Sequence, residues 1–321
     1  MEINKKNAVL WSRLGMRGTL GLFLYDNAPS FEKLVVMSAD LATTSGLDRF
    51  KNAYPDKFYN LGIAEQNMMG TATGMAMNGY NVFVTSFANF LTLRSCEQIR
   101  LNMGYMKIPL KVVGMSSGFA MGMFGNTHYG IEDISIMRSI PNITVISPAD
   151  GWELIKCLEK IIKDDSPIYL RLTGSSNIPI VYTEDYDYEI GKAITLKQGE
   201  DIALISTGSM VSVALEVSKL LEKDNISATA INVHTIKPLD YNLINKIYNK
   251  YKFIFTIEEH SIIGGLGSAV AEYISQFKNH SPLYRIGVPD TFGAVGDYSY
   301  MLKQFGLTST DIYQYITEIY K

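Results

Sequence analysis

The sequence predicts an α/β protein made of two domains, each a mainly parallel sheet flanked by helices. Short apolar runs of strand length alternate with longer helical stretches, which is the pattern of parallel strands joined by covering helices. The 321 residues exceed what one ordinary hydrophobic core organises, so about two domains are expected. Hydrophobic residues make up 47% and charged residues 19% of the chain, a composition that can bury a large interior.

The first half of the chain supplies four predicted strands and three predicted helices. Buried strands are predicted at residues 34–37, 82–84, 110–113 and 143–146, all short apolar runs. Helices are predicted at residues 66–78, 91–103 and 149–162. The last helix follows Ser147-Pro148, and a capping residue with an early proline is typical of a helix start. The first domain is therefore expected to cover residues 1–173.

A composition shift after Arg171 marks the end of the first domain. Residues 174–192 are rich in Gly, Ser, Asn, Pro, Tyr and acidic residues and show little periodicity, which predicts a linker. A second alternation follows, and it predicts a second domain at residues 193–321. The strands of that domain are expected at residues 202–205, 228–233 and 253–257, and its helices near residues 211–221 and 269–277.

Charge, cysteine content and hydropathy argue against several classes of protein. The net charge of -3 argues against nucleic-acid binding, which needs a basic surface. Cys96 and Cys157 have no spacing typical of a disulfide framework or a zinc site. The N-terminus lacks the apolar core of a signal peptide, and no apolar run approaches the roughly 20 residues that span a bilayer. We therefore expect a soluble, cytoplasmic protein without a membrane partner.

The segment around Glu65 is the most informative part of the sequence. A short apolar approach ends at Gly62, and Glu65 stands where the next predicted helix begins. An acidic residue there can simply complement the positive end of the helix dipole, and helix physics alone favours that interpretation. The helix continues with small residues, among them Gly70 and Gly74, which permit the close approach of another backbone. This helix is expected to meet a partner subunit.

Several segments resemble the thiamine-diphosphate enzymes of the transketolase family. Gly62-Ile63-Ala64-Glu65-Gln66 is similar to the domain that grips the aminopyrimidine of the cofactor. Other similar segments follow the same order along nearly the whole chain: Ser38-Ala39-Asp40-Leu41, Phe87-Ala88-Asn89-Phe90, Asn126-Thr127-His128, residues 144–150, Ile257-Glu258-Glu259-His260 and residues 263–269. The resemblance implies the family's pyrimidine-binding and C-terminal domains, with thiamine diphosphate as the cofactor.

The resemblance assigns a cofactor site. It implies that the carboxyl of Glu65 hydrogen-bonds the pyrimidine ring and promotes loss of the proton from the thiazolium carbon. A carboxyl in a closed apolar site tends to stay protonated, because desolvation disfavours the charged form. Phe90, with Phe87 behind it, would stack on the pyrimidine, although two such phenylalanines are otherwise typical of a core. The remaining cofactor contacts that the resemblance implies are Asp40, Leu41 and Ile63.

The resemblance also assigns substrate contacts. His128 lies in the glycine-rich segment 118–130 and would face the reacting carbons of a sugar in a catalytic or hydroxyl-binding role. The alternative is a loop histidine that faces solvent. A guanidinium fork suits a phosphate or a sulphonate, and the candidates for that contact are Arg17, Thr44 and Arg171. Each of these three is alternatively a plain surface residue, and Asp40 is alternatively a loop or cap residue.

One half of the family's cofactor site is missing from the sequence. The family holds the diphosphate and its magnesium with a Gly-Asp-Gly motif in an N-terminal domain, and no Gly-Asp-Gly occurs here. We therefore expect the C-terminal component of a split enzyme, active only with an N-terminal partner subunit that carries the diphosphate-binding domain. This chain is expected to supply no metal ligand, because the partner would hold the Mg²⁺. The two-fold arrangement of sites in the family implies a heterotetramer.

The substrate segment departs from the family pattern. Phe124 stands where members carry an aspartate four residues before the histidine, and Met115, Ser116 and Ser117 replace an expected basic or histidine residue. These changes predict a modified or partly dephosphorylated sugar in the transfer of a two-carbon ketol unit from a ketose to an aldose. Three alternatives stay open: a chain like deoxyxylulose phosphate synthase, a 2-oxo acid dehydrogenase beta-type subunit, and a non-catalytic subunit that kept the fold.

Overall fold

A computed structural model describes residues 3–174 and 176–321 of the chain. The strands are β1 Leu34–Ser38, β2 Phe58–Asn60, β3 Asn81–Phe87, β4 Lys111–Ser117, β5 Thr144–Ile146, β6 Ile168–Thr173, β7 Ile194–Lys197, β8 Ile202–Ser206, β9 Ala228–Asn232, β10 Thr235–Lys237, β11 Phe253–Ser261 and β12 Leu283–Val288. The helices are α1 Lys5–Asn27, α2 Asp48–Ala53, α3 Glu65–Met77, α4 Cys96–Ile99, α5 Asp133–Ser139, α6 Gly151–Ile161, α7 Met210–Glu222, α8 Tyr241–Ile247, α9 Leu266–Ile274, α10 Tyr298–Gln304 and α11 Ser309–Tyr320.

The first sheet runs in the order β10-β5-β6-β4-β3-β1-β2. Strands β1 to β6 pair in parallel, so their carboxyl ends meet at one edge of the sheet. The central strands are buried throughout because helices cover both faces. Helix α1 packs against α2 and α6 on one side, and α3 packs against β1 and β3. This layering leaves the carboxyl edge as the place where loops converge.

The second sheet runs in the order β12-β11-β8-β9-β7, with only β7 antiparallel to its neighbour among the described strands. Helix α7 packs on this sheet and on α11. One strand of the second half, β10, leaves this sheet and pairs antiparallel with β5, with Thr235 opposite Ile146. A hydrophobic cluster also continues from Val145 of the first sheet to Ile231 of the second. The two domains therefore share both a sheet and a core.

The predicted fold class, two domains of mainly parallel sheets flanked by helices, is confirmed. Each strand predicted from an apolar run is present, and several extend further at their carboxyl ends, as β4 and β11 do. The described residues between Thr173 and Ile194 form neither helix nor strand. The predicted limits of the domains and of the linker at residues 174–192 stay a prediction.

Two local expectations differ from the structure. Helix α6 begins at Gly151 rather than at 149, because the side chain of Asp150 caps it by accepting from the backbone N–H of Glu153 at 2.9 Å. The predicted helix at residues 91–103 is a helical run with two π-helical turns, Phe90–Arg94 and Arg100–Tyr105. Such turns contain one extra residue and often occur at functional sites.

Helices long and apolar enough to cross a membrane are absent from the part of the chain that the structure describes.

Candidate active site

Four connections converge at the carboxyl edge of the first sheet. Asp40 follows β1, Glu65 follows β2, and Phe90 follows β3. The segment of residues 118–130, which we call the His128 loop, follows β4. In open parallel sheets the crevice outside the carboxyl ends of the strands is the usual place for a ligand. The topology therefore brings the sequence-predicted cofactor residues to one location.

Glu65 is the first residue of α3, and its side chain is only 4% exposed. Its Oε1 accepts a hydrogen bond from the hydroxyl of Ser86 at 3.3 Å and another from Nη1 of Arg94 at 3.1 Å. The sequence predicts a closed apolar site for this carboxyl, but the structure places a cation beside it. The reason is the π-helical turn Phe90–Arg94, which ends next to the start of α3. Glu65 is therefore buried, at a helix start, and paired.

Arg94 also stacks on Phe90. The central carbon of its guanidinium lies 3.9 Å from the centroid of the Phe90 ring, while 47% of the arginine side chain stays exposed. A guanidinium is flat and carries N–H donors, so here it contacts one ring and donates to both oxygens of one carboxylate, at 3.1 and 3.3 Å. A flat aminopyrimidine needs those same two partners. The residues present therefore fit the pyrimidine end of thiamine diphosphate.

An aromatic cluster surrounds His128. Its ring centroid lies 5.3 Å from Phe90, 6.2 Å from Phe87 and 5.2 Å from Phe124. Phe87 is buried in the core, whereas Phe90 is partly exposed and Phe124 is largely exposed. Phe87 therefore lies behind Phe90, and the role of both rings in stacking on a cofactor stays a prediction. The ring of His128 therefore lies between the partly exposed ring of Phe90 and the largely exposed ring of Phe124.

The backbone around His128 is tied to the first domain. Asn89 donates from its side-chain amide to the carbonyl of Thr127 at 2.7 Å. The hydroxyl of Thr127 lies 2.9 Å from Nδ1 of His128, and the amide of His128 donates to the carbonyl of Gly125 at 2.9 Å. These contacts orient the imidazole, which stays partly exposed toward the crevice. A histidine so held can exchange a proton or a hydrogen bond with a bound hydroxyl.

Asp40, Leu41 and Ile63 line the start of the crevice. Asp40 has a left-handed backbone with φ of 59°, and its carboxylate accepts from the side-chain amide of Asn60 at 3.0 Å. The side-chain Oδ1 of Asn60 also accepts hydrogen bonds from the backbone amides of Asp40 and Gly62, both at 3.0 Å. This asparagine therefore joins the ends of β1 and β2. Leu41 is half-buried and Ile63 is largely exposed. Their part in holding a cofactor stays a prediction.

Arg17 and Thr44 lie next to each other. Nη1 of Arg17 donates to the backbone carbonyl of Thr44 at 2.5 Å. Burial lowers the pKa of Arg17, and both side chains stay partly exposed. The structure therefore brings these two predicted substrate residues together, and binding of a phosphate or sulphonate there stays a prediction.

The predicted role of Arg171 in substrate binding needs correction. Arg171 lies inside β6 and is only 1% exposed, because the second domain covers this strand. Its Nε donates to both carboxylate oxygens of Asp133, at 3.0 and 2.9 Å. Its Nη2 donates to the carbonyls of Gly130, at 3.1 Å, and Glu259, at 2.9 Å. Arg171 is an interior residue between the domains and not a surface phosphate ligand.

The sequence did not single out Arg94 or Ser86 as site residues. The sequence could have indicated Arg94, because it stands four residues after Phe90 in a helical stretch and residues at that spacing share a face. Ser86 is separated from Glu65 by 21 positions, and no local pattern joins them. Within the described residues 3–174 and 176–321, His, Cys, Asp and Glu side chains form no group of three or more that could hold a metal ion.

Comparison with known proteins places this geometry in a family. The transketolase pyrimidine-binding domain matches residues 12–177, and the transketolase C-terminal domain matches residues 191–312. The putative transketolase C-terminal section of Methanocaldococcus jannaschii is 39% identical over 306 residues, which cover 95% of this chain and 96% of that protein. A 6-deoxy-6-sulfo-D-fructose transketolase subunit of Clostridium sp. (strain MSTE9) is 36% identical over 304 residues, which cover 95% of this chain and 94% of that protein.

A solved structure agrees with these sequences. It is a split gene transketolase in the form of an inactive beta4 tetramer, and it superposes on this chain with a TM-score of 0.84. The two are 35% identical, and the match covers 94% of this chain and 97% of that one. The chain belongs to the transketolase family, as a relative of the C-terminal subunits of its split members.

Proposed function

We propose that this chain is the C-terminal subunit of a two-chain, thiamine-diphosphate-dependent transketolase, which moves a two-carbon ketol unit from a ketose donor to an aldose acceptor. The observation that carries the proposal is the buried carboxyl of Glu65 beside the partly exposed ring of Phe90. Arg94 already engages both groups, so the crevice has the shape and the chemistry for one flat ligand with N–H donors.

The residues of this chain would act around the cofactor in different ways. When bound, thiamine diphosphate supplies the carbanion chemistry of ketol transfer. Glu65 would hold a proton at the pyrimidine ring nitrogen, and its burial keeps water away from that contact. Phe90 would orient the ring by stacking, which contributes about 0.5–1.5 kcal/mol beyond burial. His128, at the border of the exposed side, would hydrogen-bond the sugar hydroxyls.

The diphosphate and its Mg²⁺ would be held by an N-terminal partner subunit. Two exposed apolar residues, Ile63 and Leu93, are next in sequence to the site segments of Glu65 and Arg94, and burying them against another chain would cover this side of the crevice. The related split transketolase is inactive as a beta4 tetramer, which supports the need for a second kind of chain. Two copies of each chain around a two-fold axis would form a heterotetramer.

The sugar would carry a modification. Phe124 is 64% exposed and its ring lies 5.2 Å from that of His128, so an apolar face borders the position of the sugar. An apolar ring cannot pair with a hydroxyl as a carboxylate would. The relative from Clostridium carries the name of a 6-deoxy-6-sulfo-D-fructose transketolase subunit, which supports a modified donor.

Replacement of one acid tests the catalytic proposal. Glu65→Gln keeps the volume of the side chain but removes the acidic proton, so ketol transfer by the two-chain enzyme should fall by about 10²–10⁴-fold. Size-exclusion chromatography should show unchanged assembly with the partner subunit. The matched control is Glu216→Gln, an exposed position on α7, which should keep full activity. Full activity of the Glu65→Gln enzyme would favour the non-catalytic alternative.

Substrate assays test the sugar and the reaction class. The two-chain enzyme should transfer its ketol unit faster from a sulphonated, deoxygenated or dephosphorylated ketose than from xylulose 5-phosphate. Phe124→Asp should shift that preference toward xylulose 5-phosphate with ribose 5-phosphate. If the unmodified pair is already the best pair for the wild-type enzyme, a modified sugar is wrong. Turnover of pyruvate with a triose phosphate, and not of ketoses, would instead support the deoxyxylulose-phosphate-synthase-like reaction.

A further inference from the structure

The His128 loop is held by the second domain as well as by the first. We propose that Glu259, on β11 of the second domain, is a positioning residue that fixes the His128 loop in the conformation in which His128 faces the crevice. The anchoring of the loop follows from the geometry alone. Its effect on substrate binding rests on the function proposed above.

The carboxylate of Glu259 holds the start of the loop. Glu259 is 1% exposed, and its Oε1 accepts the backbone amide of Phe119 at 2.6 Å. Gly118 has φ of 66°, and a Cβ added there would lie 2.1 Å from the same Oε1. A residue with a side chain would thus displace the carboxylate, and glycine adopts this left-handed backbone with the least strain. The loop begins in a shape that depends on a residue 140 positions away.

The end of the loop depends on the same residue through Arg171. Gly118 and Gly130 close the base of the loop by two backbone hydrogen bonds of 2.7 and 3.1 Å. Nη2 of Arg171 bridges the carbonyls of Gly130 and Glu259, and Asp133 fixes the orientation of the guanidinium. Both ends of the loop are therefore tied to residue 259, one by its side chain and one by its backbone.

Other residues of the second domain fix the carboxylate itself. Oε2 of Glu259 accepts from the hydroxyl of Tyr298 at 2.6 Å and from the hydroxyl of Ser209. A buried carboxylate with three donors is held in one orientation, because the loss of any donor leaves part of its charge unpaired. The ring of Tyr298 and the start of α7 thereby set the position of Oε1 at Phe119.

The middle of the loop also meets the second domain. The hydroxyl of Tyr129, next to His128, donates to the carbonyl of Ala294. Gly122 accepts at its carbonyl from the amide of Gly296 at 3.4 Å. A Cβ on Gly122 would lie 2.7 Å from the carbonyl oxygen of Gly296, so the two backbones are in close contact. The second domain thus contacts the loop at its start, middle and end.

Hydrogen–deuterium exchange of the full chain tests the anchor without substrate or cofactor. Glu259→Gln should accelerate exchange of the amides in residues 118–130 at least tenfold. The matched control is Glu258→Gln, its neighbour on β11. The Glu258 carboxylate accepts from the amides of Leu266 and Gly267 inside the second domain, at 2.7 and 2.8 Å. The proposal is overturned if both variants accelerate exchange of the loop amides equally, or if neither variant accelerates it relative to wild type.

A second variant tests the same anchor if Glu259→Gln does not fold. Ser209→Ala combined with Tyr298→Phe removes two donors to Oε2 and leaves the carboxylate in place. This pair should accelerate loop exchange at least threefold, and unchanged exchange would overturn the proposal.

Kinetics of the two-chain enzyme separate positioning from general destabilisation. Glu259→Gln should raise the KM for the ketose donor about tenfold, while the Kd of thiamine diphosphate, whose proposed contacts lie outside the loop, stays within twofold. Glu258→Gln should change neither constant. A parallel rise in KM and cofactor Kd for Glu259→Gln would contradict positioning of the loop. An inactive wild-type enzyme would count against the proposed function, whereas the exchange result would stand by itself.

Discussion

At the scale of single residues, Arg94 occupies the part of the crevice between Glu65 and Phe90. Arg94 uses its flat guanidinium to stack on one residue and to pair with the other. Any flat ligand that stacks on Phe90 must first displace this guanidinium. The ion pair, which is exposed only on the arginine side, and the cation–π contact together contribute about 1 kcal/mol, because half of the arginine side chain stays in water.

Arg94→Ala should therefore tighten binding of thiamine diphosphate to the two-chain enzyme by about fivefold, the equivalent of about 1 kcal/mol. Isothermal titration calorimetry measures the change. Arg49→Ala is the matched control, because Arg49 also stacks on a ring, that of Tyr25 at 4.1 Å, outside the aromatic cluster. Weaker binding in Arg94→Ala would mean that the arginine contacts the cofactor directly.

At the scale of elements, α3 has two tasks. Its first residue, Glu65, faces the crevice, while Met68 and Met69 pack into the core. Gly70 and Gly74 lie on the opposite, exposed face, and a Cβ added at either would meet no atom within 4 Å. Small residues are not needed there for packing within this chain. Their size therefore supports the close approach of a partner subunit.

Two substitutions at Gly70 separate folding from assembly. Gly70→Trp should leave the isolated chain folded but prevent association with the partner, because the indole occupies the space that a second backbone would need. Gly70→Ala should keep association and stabilise the chain by about 0.5–1 kcal/mol, since glycine is a poor helix former. Light scattering after size exclusion and thermal denaturation provide the readouts. Assembly of the Trp variant would place the partner elsewhere.

At the scale of the whole molecule, buried polar residues join the domains. Glu153 of α6 is fully buried and accepts from the side chain of Asn232 on β9 at 2.9 Å. The hydroxyls of Tyr182 and Tyr186, both between the domains, donate to the same carboxylate at 3.1 Å each. Burial raises the pKa of Glu153 to about 7. The same cause raises the pKa of neighbouring Asp150 to about 6.

The raised pKa of Glu153 makes stability depend on pH. Its ordinary value is 4.5, so between pH 4.5 and about 7 the folded state keeps a proton that the unfolded state has lost. The stability from this residue is present below pH 4.5 and is lost as the pH rises to about 7, by at most about 1.4 kcal/mol per pH unit. Glu153→Gln should therefore gain stability relative to wild type across this window.

Chemical denaturation at several pH values measures that difference. Burial lowers the pKa of His234 and of His260 to about 4, so these residues add stability as the pH rises, opposite to Glu153. Their contribution cancels when the free energy of unfolding of the variant is subtracted from that of the wild type at each pH. Ile155→Val, on the same helix, is the control. It loses about 0.5–1.5 kcal/mol at every pH, because no titrating group changes. A difference for Glu153→Gln that does not vary with pH would contradict the raised pKa.

The elements that could be predicted are those whose own local sequence carries the pattern of a strand or a helix. Strands such as β1 and β8 are buried on both faces, so their sequences are continuous apolar runs. Helix α1 was not predicted, because it turns at Gly15, where φ is 69°, and carries further glycines that lower helix propensity. Strand β10 was missed because its pairing with β5 joins residues about ninety positions apart.

The sequence by itself determined the two-domain α/β class, the family, and the place of Glu65 at the start of a helix. Those features are local, since they rest on periodicity and on short strings of residues. Tertiary structure decided which charges meet: Arg94 with Glu65, and Arg171 with Asp133 rather than with a substrate. It also placed Glu259 against a loop 140 positions away. Such contacts form only when the sheets pack together, so no local pattern records them.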